Sequence, residues 1–352
     1  MALHQYSLSR CEVDKLKQLE KENLIHTVFL TEEWIRFLMK NQNAEPVILQ
    51  INDGQTVVAY FVGMVVKKFG LRIFGSPFEG WLTCDMGFIR VGAFDVNEAL
   101  RLVADYAMKT LHCCFVQIYD KQIREEELDA GIKRFTKPML QLDIAKPEDE
   151  IMQNFTKFAR TRIRLAGRRL TFEKVPFDRE FVDVYFDQLE EVFKRQKLYP
   201  TYDREKLYDL AEALKDRPEL VLAEKAYAED GACMGTILTF GLEKWAYYLC
   251  AANVISQQNG RPSEGLFWEF VKHWNDRGME HLDLVGYREY KLRYSPAIEK
   301  EVYVYFEKFP GFFKMKSLAA KTVGAMRTLK GKILLRNTEE KHHDADAAAG
   351  SD

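Results

Sequence analysis

V-I-L-Q-I-N-D-G-Q-T-V-V-A-Y-F-V-G-M-V, from Val47 to Val65, is two apolar runs joined by one Asp-Gly pair. Val47–Asn52 and Val57–Val65 read as strands, and Asp53-Gly54 supplies the positive φ angles of a tight hairpin turn. Downstream, Asp95 to His112 reads as a helix. Asp95 is placed to cap it, with Glu98 completing a capping box. Leu100, Val103, Ala104, Ala107 and Leu111 form its apolar face. Cys113–Tyr119 follows as a buried strand. The same order returns later in the chain. Leu220–Tyr227 and Met234–Phe240 are strands around Asp230-Gly231, and Trp245–Ala252 is a third strand. Leu266, Phe267, Phe270, Val271 and Trp274 share one helix face, which Gly278 can end. His281–Val285 is the closing strand. This is a duplicated α+β unit, with two helices expected between the copies at Pro147–Ala166 and Asp178–Lys197.

Composition bounds the function. The 352 residues are 47% apolar and 30% charged, as in ordinary soluble domains. Lys+Arg 51 against Asp+Glu 53 gives a net charge of −2, so no global basic excess points to nucleic acid. No apolar run approaches the ~20 residues of a membrane helix. The N-terminus lacks the pattern of a signal peptide, so a cytoplasmic location is expected. The six cysteines include no C-x-x-C, and the seven histidines no H-E-x-x-H. No metal site is expected. From Asn337 onward the chain is small, polar and charged, and disorder is expected there.

Three stretches resemble the FemAB-like and CelD-like acyltransferases of the tandem GNAT superfamily. They are L-D-I-A-K-P-E-D-E-I-M-Q-N-F-T-K-F-A-R-T-R-I-R-L-A from Leu142, G-R-P-S-E-G-L-F-W-E-F-V-K-H-W-N-D-R-G from Gly260, and L-D-L-V-G-Y-R-E-Y-K-L-R-Y-S from Leu282. The resemblance implies two tandem GNAT-like units, each a mixed sheet flanked by helices. The expected division is 1–141, then 142–313 with the donor site, then 314–352 as a basic amphipathic helix and tail. It implies transfer of an acyl group from acyl-CoA, acetyl-CoA foremost, to an amino group of a sugar or cell-envelope precursor. The family also contains aminoacyl transfer from tRNA, and a silent binding module is the third reading.

Within that resemblance, residues take expected roles. The helix opened by Gly260, Arg261, Ser263 and Gly265 suits a pyrophosphate at its N-terminus, or is an ordinary capped helix. Glu289 is the expected base, Tyr290 the acid, and Asp283 the group that orients them. Lys291, Tyr248, Arg160 and Arg164 are expected on the substrate, the last two within a run of six positives from Lys157 to Arg169. N–H groups splayed between Met234–Phe240 and Trp245–Ala252 are expected to receive the thioester carbonyl. The plain alternatives are a surface Glu–Lys pair, core tyrosines and a solvated basic face. The turn-rich loop Gly75–Trp81 either lines a site or merely connects. Finally, Met315, Leu318, Met326, Leu329 and Ile333 form an apolar stripe among seven Lys and Arg between 314 and 336. That stripe either packs on the core or docks on anionic lipid, where a lipid-linked acceptor would lie.

Overall fold

The computed structural model describes residues 6–68, 70–196, 200, 202–253 and 260–315. The chain order is β1 (Tyr6–Cys11), α1 (Lys15–Lys21), α2 (Glu32–Gln42), β2 (Glu45–Asp53), β3 (Thr56–Lys68), β4 (Leu71–Ser76), β5 (Gly87–Arg90), α3 (Val96–Lys109), β6 (Phe115–Tyr119) and β7 (Arg134–Asp143). Two linking helices follow, α4 (Glu148–Asn154) and α5 (Lys157–Arg169). Then come β8 (Thr171–Lys174), α6 (Arg179–Arg195), α7 (Arg204–Leu214), β9 (Val221–Tyr227), β10 (Cys233–Leu242), β11 (Trp245–Asn253), α8 (Pro262–Asp276), β12 (His281–Asp283) and β13 (Ala297–Glu307). Apart from β5, the order β-α-α-β-β-β-α-β-β occurs twice. The duplication is thus more complete than the hairpins revealed.

All described strands belong to one sheet, ordered β1-β2-β3-β4-β6-β13-β7-β12-β11-β10-β9-β8, with β5 on β3. The order is symmetric about its centre. Each unit is an antiparallel meander whose last strand runs parallel to the strand after its helix: β4 beside β6, and β11 beside β12. At the centre the final strands change places. β13 of the second unit pairs with β6 of the first, and β7 of the first pairs with β12 of the second. The expected boundary after residue 141 therefore falls inside a strand, β7.

Side chains alternate across the sheet. Val47, Leu49 and Ile51 pack with α3, and the opposite face packs with α1, α2, α6 and α7. In the second unit α5 and α8 cover the remaining face. The five apolar residues of α8 named above are each at most 2% exposed. Gly54 and Gly231 take φ of +59° and +82° at the two hairpin turns, as the Asp-Gly reading requires. Asp95 caps α3 through the N–H groups of Asn97 and Glu98.

One expected helix is two. Pro147–Ala166 breaks at Phe155 and Thr156, which are both extended. Thr156 caps α5 by accepting from the Ala159 N–H, and its own N–H and hydroxyl donate to the Arg293 carbonyl. Phe155 is buried against Phe267, Trp268 and Tyr294. A long-range anchor thus outweighs helix propensity at this point.

Candidate active site

The site begins where two parallel strands part. β11 and β12 pair only at Trp245–His281, Ala246–Leu282 and Tyr247–Asp283. β11 continues to Asn253 while β12 stops, so the splay lies between these strands. It does not lie between β10 and β11, as expected from sequence, because those two stay paired from Gly235–Asn253 to Leu242–Trp245. Their register shifts once, leaving Leu249 as a bulge, a device common beside active sites.

A cleft of about 370 Å³ opens at this splay, at the start of α8. Arg261, Ser263, Tyr248 and Tyr290 meet in it, with Arg162, Arg195, Arg293, Asn253 and Glu264. Four arginines thus face one glutamate. Arg261 sits at φ +59° before Pro262, and among the described residues no side chain caps α8. Its first-turn N–H groups therefore lack intrahelical acceptors and add partial positive charge. Glu264 Oε1 accepts from Arg162 at 2.8 Å and Arg293 at 2.9 Å. Arg195 donates to the carbonyl and side-chain oxygen of Asn253, and Asn253 donates to Ser263 Oγ.

Several expected members lie elsewhere. Gly265 is the contact point of α8 with α5 and β8, where a Cβ would fall 2.4 Å from Phe172 and 2.8 Å from Ala166. It serves packing. Gly260 likewise lies against Leu170. The Arg160 guanidinium donates to the carbonyls of Gln153 and Phe155, closing the end of α4. Arg164 is exposed and lines no described cleft. It is Arg162, two positions from each of them, that enters the cleft. Asn259 lies outside the described residues, as does the segment from 316 onward.

The Y-R-E-Y-K stretch has an unexpected place. Lys291 is 5% exposed, and its ammonium donates to the carbonyls of Leu284, Val285 (2.8 Å) and Gly286 (3.4 Å). It is a structural clamp on the chain leaving β12. That chain needs one: Val285 has φ +47°, a conformation a β-branched residue rarely adopts and one that collects at functional sites. The segment 284–294 then forms a wall. Tyr290 and Arg293 face the arginine cleft. Val285, Gly286 and Tyr287 face a second cleft of about 310 Å³. Glu289 is exposed and lines neither.

The second cleft lies between the units. Asp283, Glu301 and Tyr303 line it from β12 and β13, Lys137 from β7, and Glu79, Trp81 and Cys84 from the loop after β4. The Gly75–Trp81 loop thus lines a site through its Pro77–Trp81 portion. Asp283 is 1% exposed, pairs with Lys121 at 2.8 Å, and accepts from the Val285 N–H. Lys121 belongs to the first unit and lies over the rings of Trp245 and Tyr247. Beneath it, Asp85 accepts from the Lys121 N–H. Burial pushes the Asp85 carboxyl up to about 7, and burial depresses His26 beside it to about 4. The sequence reading missed Asp85, Lys121 and Glu301. Only Glu301 left a trace: alternation along E-V-Y-V-Y puts an acid on the same strand face as Tyr303 and Tyr305.

Among the described residues, no three His, Cys, Asp or Glu gather as metal ligands, and no helix is long and apolar enough to cross a membrane. No protein-family model and no curated protein sequence matches the chain. Solved structures do. FemX matches with a TM-score of 0.67 at 13% identity, over 86% of this chain and 98% of that one. The chain has the fold of FemX. L-PGS from Bacillus licheniformis gives 0.52 at 13% identity, over 84% of this chain and 97% of that one. A conserved protein of unknown function from Bacteroides thetaiotaomicron gives 0.53 at 11%, over 85% and 99%. Such identities carry the architecture alone and leave the chemistry to the clefts.

Proposed function

We propose that the protein is an N-acyltransferase, taking an acyl group from acyl-CoA, acetyl-CoA foremost, and delivering it to an amino group of a sugar or cell-envelope precursor. One observation carries this reading: four arginines and a helix start that no described side chain caps surround a cleft at the point where two parallel strands part. A pyrophosphate suits the N–H groups of Ser263 and Glu264 together with Arg261. The thioester then extends along β11 past the bulge at Leu249, beside Tyr248. The bound donor supplies an activated carbonyl. Orientation of the amine against it provides much of the rate, and Tyr290, which lines the cleft, returns a proton to the leaving thiolate in this reading. Transfer is direct, from thioester to amine.

A second reading, transfer from aminoacyl-tRNA, is favoured by a separate observation. Lys157, Arg164 and Arg168 are exposed along α5, the helix that sends Arg162 into the cleft. That basic face suits a longer polyanion. Calorimetric titration with acetyl-CoA, longer acyl-CoAs and tRNA separates the two. Saturable binding of acyl-CoA, weakened by salt, supports the first. Binding of tRNA alone supports the second. If neither binds, both are wrong. Donor binding without thiol release over a panel of amines would mark a silent binding module. Both donors are found in the cytoplasm, which is where this reading places the protein.

A further inference from the structure

The two clefts carry opposite charge. The donor cleft has four arginines against Glu264. The cleft between the units has Glu79, Asp283 and Glu301 against Lys137. We infer that the inter-unit cleft is the acceptor site, that its carboxylates hold a primary ammonium, and that Glu301 takes a proton from it. This rests on the N-acyltransferase reading.

Glu301 is singled out by its partners. Asp283 is paired with Lys121, and Glu79 with Lys137. Glu301 enters no ion pair among the described residues. One of its oxygens accepts from the Tyr303 hydroxyl at 3.0 Å, and no described donor reaches the other. A half-buried carboxylate without a cation is costly, and a ligand ammonium removes that cost. Trp81 and Tyr287 add aromatic faces that attract a cation or cover the apolar face of a sugar ring. Burial first, and then the Asp283 charge, raise the Glu301 carboxyl to about 7. Lys121, from the end of β6, and Lys137, opposite on β7, act the other way. A base in that range is matched to neutral pH.

The step balances as follows. The ammonium gives one proton to Glu301, and the resulting amine nitrogen attacks the thioester carbonyl where the clefts adjoin, at the splay beside Tyr248, the neighbour of the Asp283 partner Tyr247. A C–N bond forms and the C–S bond breaks. The second nitrogen proton leaves with the thiolate as thiol, and Glu301 returns its proton to water.

The ammonium can belong to an amino sugar or to a lysyl side chain. Calorimetric titration distinguishes them with glucosamine and Nα-acetyl-lysine methyl ester, each compared with its fully N-acetylated form. The wild type should bind one free amine at least tenfold tighter than its acetylated partner. Glu301→Gln should abolish that preference while acetyl-CoA affinity stays within twofold. Equal binding of free and acetylated forms by the wild type overturns the proposal, as does a preference that survives Glu301→Gln. Should that variant not fold, Tyr287→Ala serves, because Tyr287 is 37% exposed. It should weaken amine binding severalfold, and unchanged affinity counts against the site. An amine that binds through Glu301 while acetyl-CoA and tRNA both fail would keep the ammonium site and remove the transferase reading. Donor binding without amine preference does the reverse.

Discussion

Lys291 and Arg261 are both cations beside the arginine cleft, yet burial gives them different work. Lys291 holds three backbone carbonyls. Lys291→Met should leave them unsatisfied and destabilise the fold by about 1–3 kcal/mol, read as a lower urea midpoint; an unchanged midpoint would show the clamp to be unnecessary. Arg261 forms no ion pair with a described residue and faces the cleft. Arg261→Glu should weaken acetyl-CoA about tenfold, roughly 1.4 kcal/mol, and reduce the salt sensitivity of binding. Equal calorimetric affinity would remove Arg261 from the donor site. Glu224 gives a pH test. It is 2% exposed with one oxygen unpartnered, and burial raises it to about 8, with Glu269 adding and Lys174 and Lys272 opposing. The unfolded state therefore ionises first, near the ordinary carboxylate value, and stability falls as pH rises from there through about 8. His26 and His273, depressed by burial to about 4 and 3, act oppositely but only below their ordinary value of 6.5. Asp85 and Glu301, each raised to about 7, act in the same direction but mostly below pH 7, so between pH 7 and 8 Glu224 is the largest single contributor to the decline. Glu224→Gln should flatten it, and an unaltered slope in urea melts would reject the assignment.

Elements were legible where one face of a strand or helix is buried. The two Asp-Gly hairpins, the α3 and α8 faces and the strand β6 all emerge from periodicity and turn chemistry alone. What stayed hidden depends on distant partners. Nothing local in N-F-T-K marks a helix break, because Thr156 answers to Arg293 across the fold. Gly265 looks like a phosphate glycine in sequence, and only the approach of α5 and β8 shows it as a packing contact. Of the residues singled out in sequence, Arg261, Ser263, Tyr248 and Tyr290 converge on the arginine cleft. Asp283 and the Pro77–Trp81 loop meet in the inter-unit cleft instead, and Glu301 joins them from a separate strand with no shared motif to announce it. At this scale the test is Gly265→Ala. Its Cβ would press Phe172 and Ala166, and overpacking of this kind costs about 1–3 kcal/mol. Calorimetry should show a melting temperature lower by a few degrees. A wild-type value would mean that α5 and α8 can move apart freely.

At the scale of the molecule, the segment beyond Met315 carries its own expectation. Phe309 and Met315, near the end of the described chain, are each 56% exposed, and the sequence continues with Lys316, Lys321, Arg327, Lys330, Lys332 and Arg336. Docking on anionic lipid predicts that the full chain sediments with liposomes at low salt and that a chain ending at Phe313 does not. If both stay in the supernatant, the segment has another use. The exchange of β7 and β13 has a different kind of consequence. Each unit completes its sheet with a strand lent by the other, and Lys121 and Asp283 join the two through a buried charge pair. A half-molecule would expose two raw edges and a lone buried charge. Heat should thus find no weaker half to melt first. The two units should unfold as one thermodynamic body, with calorimetric and van't Hoff enthalpies that agree, although chains of this length often unfold in stages.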